Sequence, residues 1–134
     1  ISPPIALPST PQKPLKIAFE HISSAEYKDI LVDFRIRNSS FKDIYTVSNH
    51  TPRRIFQWKN FDGLGSTSKE AYVFEFKPSS KGSQKEILIY GATFTDPKDN
   101  FDPLTYDPIL KPSTLLEQRF FYLPQEGKYA TEKN

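Results

Sequence analysis

The sequence predicts an all-β domain, an antiparallel two-sheet sandwich of about seven strands. Three observations predict it. Apolar residues recur with a period of two from Leu15 onward. Turn chemistry interrupts them roughly every 8–15 residues. No segment of any length carries the helical period of about 3.6 residues.

The elements follow in order. Residues 1–14 contain Pro3, Pro4, Pro8, Pro11 and Pro14. Proline fixes φ and lacks a backbone donor, so this stretch is expected to be extended and flexible, a tether ahead of the fold or a simple frayed terminus. Leu15, Ile17 and Phe19 alternate with Lys16, Ala18 and Glu20 as a first strand. Ile30, Val32, Phe34 and Ile36 alternate with Leu31, Asp33, Arg35 and Arg37, which predicts one apolar and one charged face. Asn38-Ser39-Ser40 supplies turn chemistry after it. Ile44 to Ser48 and Ile55 to Lys59 read as the third and fourth strands, with Phe56 and Trp58 on one face. A Gly- and Ser-containing loop from Asp62 leads to a fifth strand with Tyr72, Phe74 and Phe76 on one face.

Ile87 to Thr95 is apolar on both faces at its start, as expected of a central strand. The longest irregular stretch runs from Thr95 to Pro112. Leu115 to Leu123 is the last expected strand, and residues 125–134 read as a polar tail. The folded domain is therefore expected to span residues 15–124.

A chain of 134 residues fits one domain and can bury a core without metal or disulfide. Aromatics, at 14%, have to supply much of that core. The 18 basic and 16 acidic residues are interspersed, which argues against a nucleic-acid or anionic-membrane binder. No stretch reaches the roughly 18 apolar residues of a membrane helix. There is no Cys, which excludes disulfides, thiol catalysis and cupredoxin-type copper binding. There is no Met either, so two readings compete: a mature exported chain after leader removal, or a fragment of a larger protein. The tether favours export to a periplasmic, lipoprotein-anchored or secreted location.

Four stretches, taken in order, carry a resemblance. A strand ends in Asn38-Ser39-Ser40; later come the acidic turn Asp96-Pro97-Lys98-Asp99-Asn100, the turn Leu110-Lys111-Pro112 and the aromatic strand Phe120 to Pro124. This order resembles the immunoglobulin-like domains of exported bacterial proteins and lipoproteins, of the DUF4352 type. The family usually has Gly where this chain has Asn100 and Ser113. The resemblance implies an immunoglobulin-like sandwich, export, and a binding or scaffolding role. It supplies no catalytic residues.

The candidate sites are few. His21 and His50 are the only histidines. Asp96, Asp99, Asn100 and Asp102 cluster in one loop, as calcium ligands or as ordinary turn formers; EF-hand spacing fails at Lys98 and Phe101. Arg53 and Arg54 beside Phe56 and Trp58 suggest a cation–π or anion-binding patch. Trp58, Phe61 and Tyr45 suggest a sugar-stacking platform; alternatively Trp58 and Phe56 anchor the core. Asn38-Ser39-Ser40 and Asn49-His50-Thr51 match the glycosylation pattern. No phosphate-cradling or nucleophile-elbow motif occurs. The expected function is a non-catalytic extracytoplasmic domain that makes protein–protein contacts, a cell-envelope assembly being one setting for them. The alternative is a carbohydrate-binding module. No cofactor, metal or nucleic acid is expected.

Overall fold

The computed structural model describes residues 15–48, 50–79 and 84–131. The expected tether, residues 1–14, lies outside the described residues, as does Asn49 of the second glycosylation pattern. Eight strands form one antiparallel sheet: β1 (Lys16–Glu20), β2 (Asp29–Ile36), β3 (Ser39–Ser48), β4 (Thr51–Asp62), β5 (Glu70–Pro78), β6 (Lys85–Thr93), β7 (Lys111–Leu123) and β8 (Lys128–Thr131). No helix among the described residues is long and apolar enough to cross a membrane.

The all-β class and antiparallel pairing are as expected. The hydrogen bonding differs in detail. It joins all strands into one sheet whose neighbours follow chain order, whereas an immunoglobulin-like sandwich uses Greek-key crossovers between two sheets. Each strand here pairs with its predecessor in the chain, so no crossover arises.

The sheet is nonetheless almost divided. β4 and β5 pair only at Phe61↔Ala71 and Asp62↔Glu70. Upstream of Phe61, β4 runs on without β5, so β1–β4 and β5–β8 behave as two four-stranded halves joined at a corner. The main core draws residues from both groups of strands. Leu31, Ile44 and Phe56 are successive cross-strand partners on β2, β3 and β4, and all three are buried. Across the gap, the Phe56 ring meets Phe120 at 5.0 Å, Phe74 at 6.2 Å and Tyr129 at 6.3 Å, each edge to face. Edge-to-face pairs add about 0.5–1.5 kcal/mol each beyond their buried area. Ile87 and Ile89 of β6 complete the cluster, and β6 lies between β5 and β7 as an interior strand.

Four strand expectations change. β2 buries both faces: Leu31 and Arg35 on one, Val32 and Phe34 on the other. β1 buries neither face; it ends the sheet, with no further strand paired to it among the described residues. Ser39 and Ser40 already belong to β3, so the hairpin turn is Arg37-Asn38, with Arg37 at φ 54°. The expected polar tail contains a strand, β8, and Tyr129 within it is buried. The Tyr129 hydroxyl donates to the carbonyls of Lys85 (2.7 Å) and Ile22 (3.3 Å), which ties the C-terminal strand to β6 and to the β1–β2 connection. The folded domain therefore extends past residue 124.

Candidate functional site

Among the described residues, places that could receive a partner include a polar hollow over β2, the cleft at the β4–β5 corner, and the open edge of β1.

The hollow has a volume of about 190 Å³ and includes Lys16, Asp33, Arg35, Asn60, Phe61 and Asp107 among its lining residues. Most of its polar groups are engaged in pairs, though the buried Arg35 Nε has no hydrogen-bond partner among the described residues. Asp33 pairs with Lys42 at 3.0 Å and accepts from the Asn60 amide at 2.9 Å, while that amide also donates to the Ser40 hydroxyl at 3.0 Å. Arg35, only 2% exposed, stacks over the Phe61 ring at 4.9 Å. Its guanidinium donates to the Tyr106 carbonyl, to the Pro103 carbonyl at 3.1 Å and to Asp107 at 3.3 Å. Burial lowers the Arg35 pKa from its ordinary value, and Asp107 and Asp102 oppose that shift. The result is a strut under the irregular β6–β7 connection rather than a reactive centre.

The cleft, about 360 Å³, opens where β4 parts from β5 and is lined by Phe41, Gln57, Trp58, Lys59, Glu70 and Tyr72. The Trp58 ring stands edge to face against Tyr72 and Phe120, both at 5.7 Å, and its buried Nε1 has no hydrogen-bond partner among the described residues. Charged groups hold the corner itself. Lys59 bridges Glu70 at 2.6 Å and Asp62 at 3.3 Å, and the Ser39 hydroxyl donates to Asp62. The Ser39 hydroxyl, with Lys59, lowers the Asp62 pKa; Lys59 lowers that of Glu70, and Glu70 raises that of Lys59.

The open edge is β1. Every one of its residues is exposed, with Ile17 at 56% and Phe19 at 58%. By register, Ile17 lies beside Val32 and Phe19 beside Ile30. Val32 belongs to a second buried cluster with Phe34 and Tyr45, against which Ile30 and Phe41 pack.

Of the residues singled out from the sequence, Phe61 lines the hollow and Trp58 the cleft, while Arg53, Arg54, Asp96, Asp99 and Asp102 lie elsewhere. Arg53 and Arg54 are exposed, and the Arg53 guanidinium donates to the Gly127 carbonyl in the β7–β8 turn instead of covering an aromatic ring. The cation–π contacts seen are made by Arg35 on Phe61 and by Lys42 on Phe74, at 4.9 Å and 5.7 Å. Trp58, Phe61 and Tyr45 fall into three separate clusters, so the sugar platform is not assembled. Phe56 is a core anchor and Trp58 packs half-buried beside it.

The acidic loop is likewise divided. Asp96 accepts from the Gly65 amide at 2.8 Å and pairs with Lys69 at 3.2 Å; the amide and Lys69 lower its pKa. Asp102 accepts from the Leu104 amide at 2.9 Å, closing a turn. Asp99 and Asn100 are exposed. No group of three or more His, Cys, Asp or Glu side chains among the described residues could hold a metal ion. His21 donates through Nδ1 to the Tyr27 carbonyl at 3.0 Å, and His50 is exposed at φ 62°. Asn38 uses its amide to donate to the Leu64 carbonyl at 3.1 Å.

Sequence reasoning missed Arg35 and Asp107 because period two marks Arg35 as surface-facing. It missed the β1 edge because edge position is a property of topology.

Comparisons with known protein families, with curated proteins and with solved structures find no match.

Proposed function

We propose that this chain is a non-catalytic, extracytoplasmic binding or scaffolding domain that makes protein–protein contacts in a cell-envelope assembly, with β1 as its contact edge. One observation carries the reading: β1 ends the sheet and leaves Ile17 and Phe19 more than half exposed. An edge strand presents backbone donors and acceptors that template a further strand, and apolar side chains beside it add specificity. Most polar groups of the hollow and the corner are engaged in structural pairs, which supports binding over chemistry.

The finer fold reading belongs with this proposal. The aromatic contacts of β4 with β5, β7 and β8 support treating the two halves as layers of a sandwich. The resemblance to exported bacterial domains supports the location, as does the proline-rich stretch ahead of the fold; neither bears on strand order.

A photo-crosslinking residue placed at position 17 in native cells tests the reading, with position 75 as an exposed control on β5. Protein adducts from position 17 alone, on a chain recovered in envelope or secreted fractions, are the expected result. No adduct at position 17, or a cytosolic chain, overturns it.

A carbohydrate-binding reading rests on the β4–β5 cleft, where Trp58 and Tyr72 lie beside Gln57, Lys59 and Glu70. Quenching of Trp58 fluorescence on titration with polysaccharides supports it; a blue-shifted, unresponsive signal removes it.

A further inference from the structure

We propose that the partner of β1 is β1 of a second copy, paired antiparallel about Ala18. This rests on the proposed role of β1 as contact edge. The inference comes from the order of side chains along the strand, Lys16-Ile17-Ala18-Phe19-Glu20. Placed antiparallel against itself with Ala18 opposite Ala18, the strand sets Lys16 opposite Glu20 twice and Ile17 opposite Phe19 twice. Directly opposed residues on neighbouring strands are in contact, and opposite charges or aromatic–β-branched pairs there are favourable.

Other arrangements fail on the same rule. A parallel pairing sets Lys16 beside Lys16 and Glu20 beside Glu20, like charges in direct opposition. Centring the antiparallel pair on Ile17 sets Lys16 against Ala18 and leaves Glu20 without its counter-charge. Only the Ala18-centred register matches both charges and both apolar residues. A two-fold contact of this kind is isologous, so it closes at two copies.

The geometry of each chain permits it. The alternation within β1 puts Ile17 and Phe19 on the side of Val32 and Ile30. Two such edges would join the buried Val32, Phe34 and Tyr45 clusters of both copies through a bridge of four apolar side chains. Lys16 already approaches Asp107 at 3.5 Å, but both side chains are largely exposed, at 66% and 49%, so that pair holds Lys16 weakly. The join runs two eight-stranded sheets edge to edge.

Sedimentation of the full chain over a concentration series tests this. Wild-type chain is expected to self-associate reversibly. Lys16→Glu alone or Glu20→Lys alone is expected to weaken association roughly tenfold or more, since each turns both charge pairs repulsive. The two single variants mixed together are expected to form a heterodimer, and the double variant Lys16→Glu/Glu20→Lys to dimerise like wild type. Both positions are exposed, so the melting temperature of each monomer serves as the folding control. Wild-type chain that stays monomeric at every concentration overturns the inference. A mixture or double variant that associates no better than the single variants also overturns it. If crosslinks from position 17 lead to a different protein while the chain is monomeric, the self-pairing falls and the contact-edge reading stands.

Discussion

Arg35 of β2 donates to Asp107, 72 residues further along the chain, at 3.3 Å, and the same guanidinium holds the carbonyls of Pro103 and Tyr106. One side chain thus fixes the irregular connection between β6 and β7 to the opposite half of the sheet. The two members of the pair are unequal: Arg35 is 2% exposed and Asp107 49%.

That inequality predicts unequal effects of mutation. Arg35→Ala removes donors from two carbonyls and strips the cover from Phe61, at a cost of about 2–4 kcal/mol. Asp107→Asn leaves the carbonyl bonds in place and costs under about 1 kcal/mol. Arg35→Lys falls nearer the alanine variant, because one ammonium cannot span the three acceptors. Urea denaturation of the three variants checks the ranking; equal losses for Arg35→Ala and Asp107→Asn would contradict it.

Gly63 is required by its backbone. It adopts φ 89°, and a Cβ there would stand 2.0 Å from the Ser68 carbonyl oxygen. Gly63→Ala is expected to destabilise by roughly 2–3 kcal/mol. Gly65 adopts φ 83°, but the nearest atom lies 3.4 Å from where its Cβ would stand. The same change there is expected to cost about 1–2 kcal/mol. Thermal melts of the two variants test the order.

Alkaline pH attacks two buried phenols. Burial, with Asp43 beside it, pushes the Tyr45 pKa from 10.0 up to about 12. Burial also raises that of Tyr129. A raised folded pKa means the native state holds its proton more tightly than the unfolded chain does. The stabilising effect is complete below pH 10.0, the unfolded value, and is lost as pH climbs through the folded value of about 12 for Tyr45. Denaturant titrations on either side of pH 10.0 should show the loss, and Tyr45→Phe should reduce its slope.

Calcium should leave the melting temperature unchanged. Asp96 is engaged by Gly65 and Lys69, and Asp102 closes its own turn, so the acidic loop does not converge on a point. A ligand that binds only the native state has to raise its stability. A calcium-dependent rise in melting temperature, abolished by Asp99→Ala, would reverse this view of the loop.

Period-two alternation was enough to locate strands β2, β5, β6 and β7 and to put Phe56 and Trp58 on one face. It misread Arg35, since a charged residue in an alternating strand counts as solvent-facing until a distant connection folds over it. It missed β8, because only Tyr129 in Lys128–Thr131 is buried and its two acceptor carbonyls belong to residues 22 and 85. The side-chain order in β1 was legible from the start. Its exposure was not, because alternation cannot distinguish an end strand from an interior one.

The chain-order pairing of the strands has a kinetic consequence. Hairpins with short turns, such as β2–β3 and β7–β8, can zip locally with little loop-closure entropy to overcome, whereas the long β6–β7 connection has to close a larger loop. Contacts that tie remote segments, such as Tyr129 to Ile22, are expected to form late, as the two halves dock. Tyr129→Phe should therefore speed unfolding and leave the refolding rate nearly unchanged in stopped-flow experiments. The bent sheet would then behave in time as two ribbons made early and clasped last.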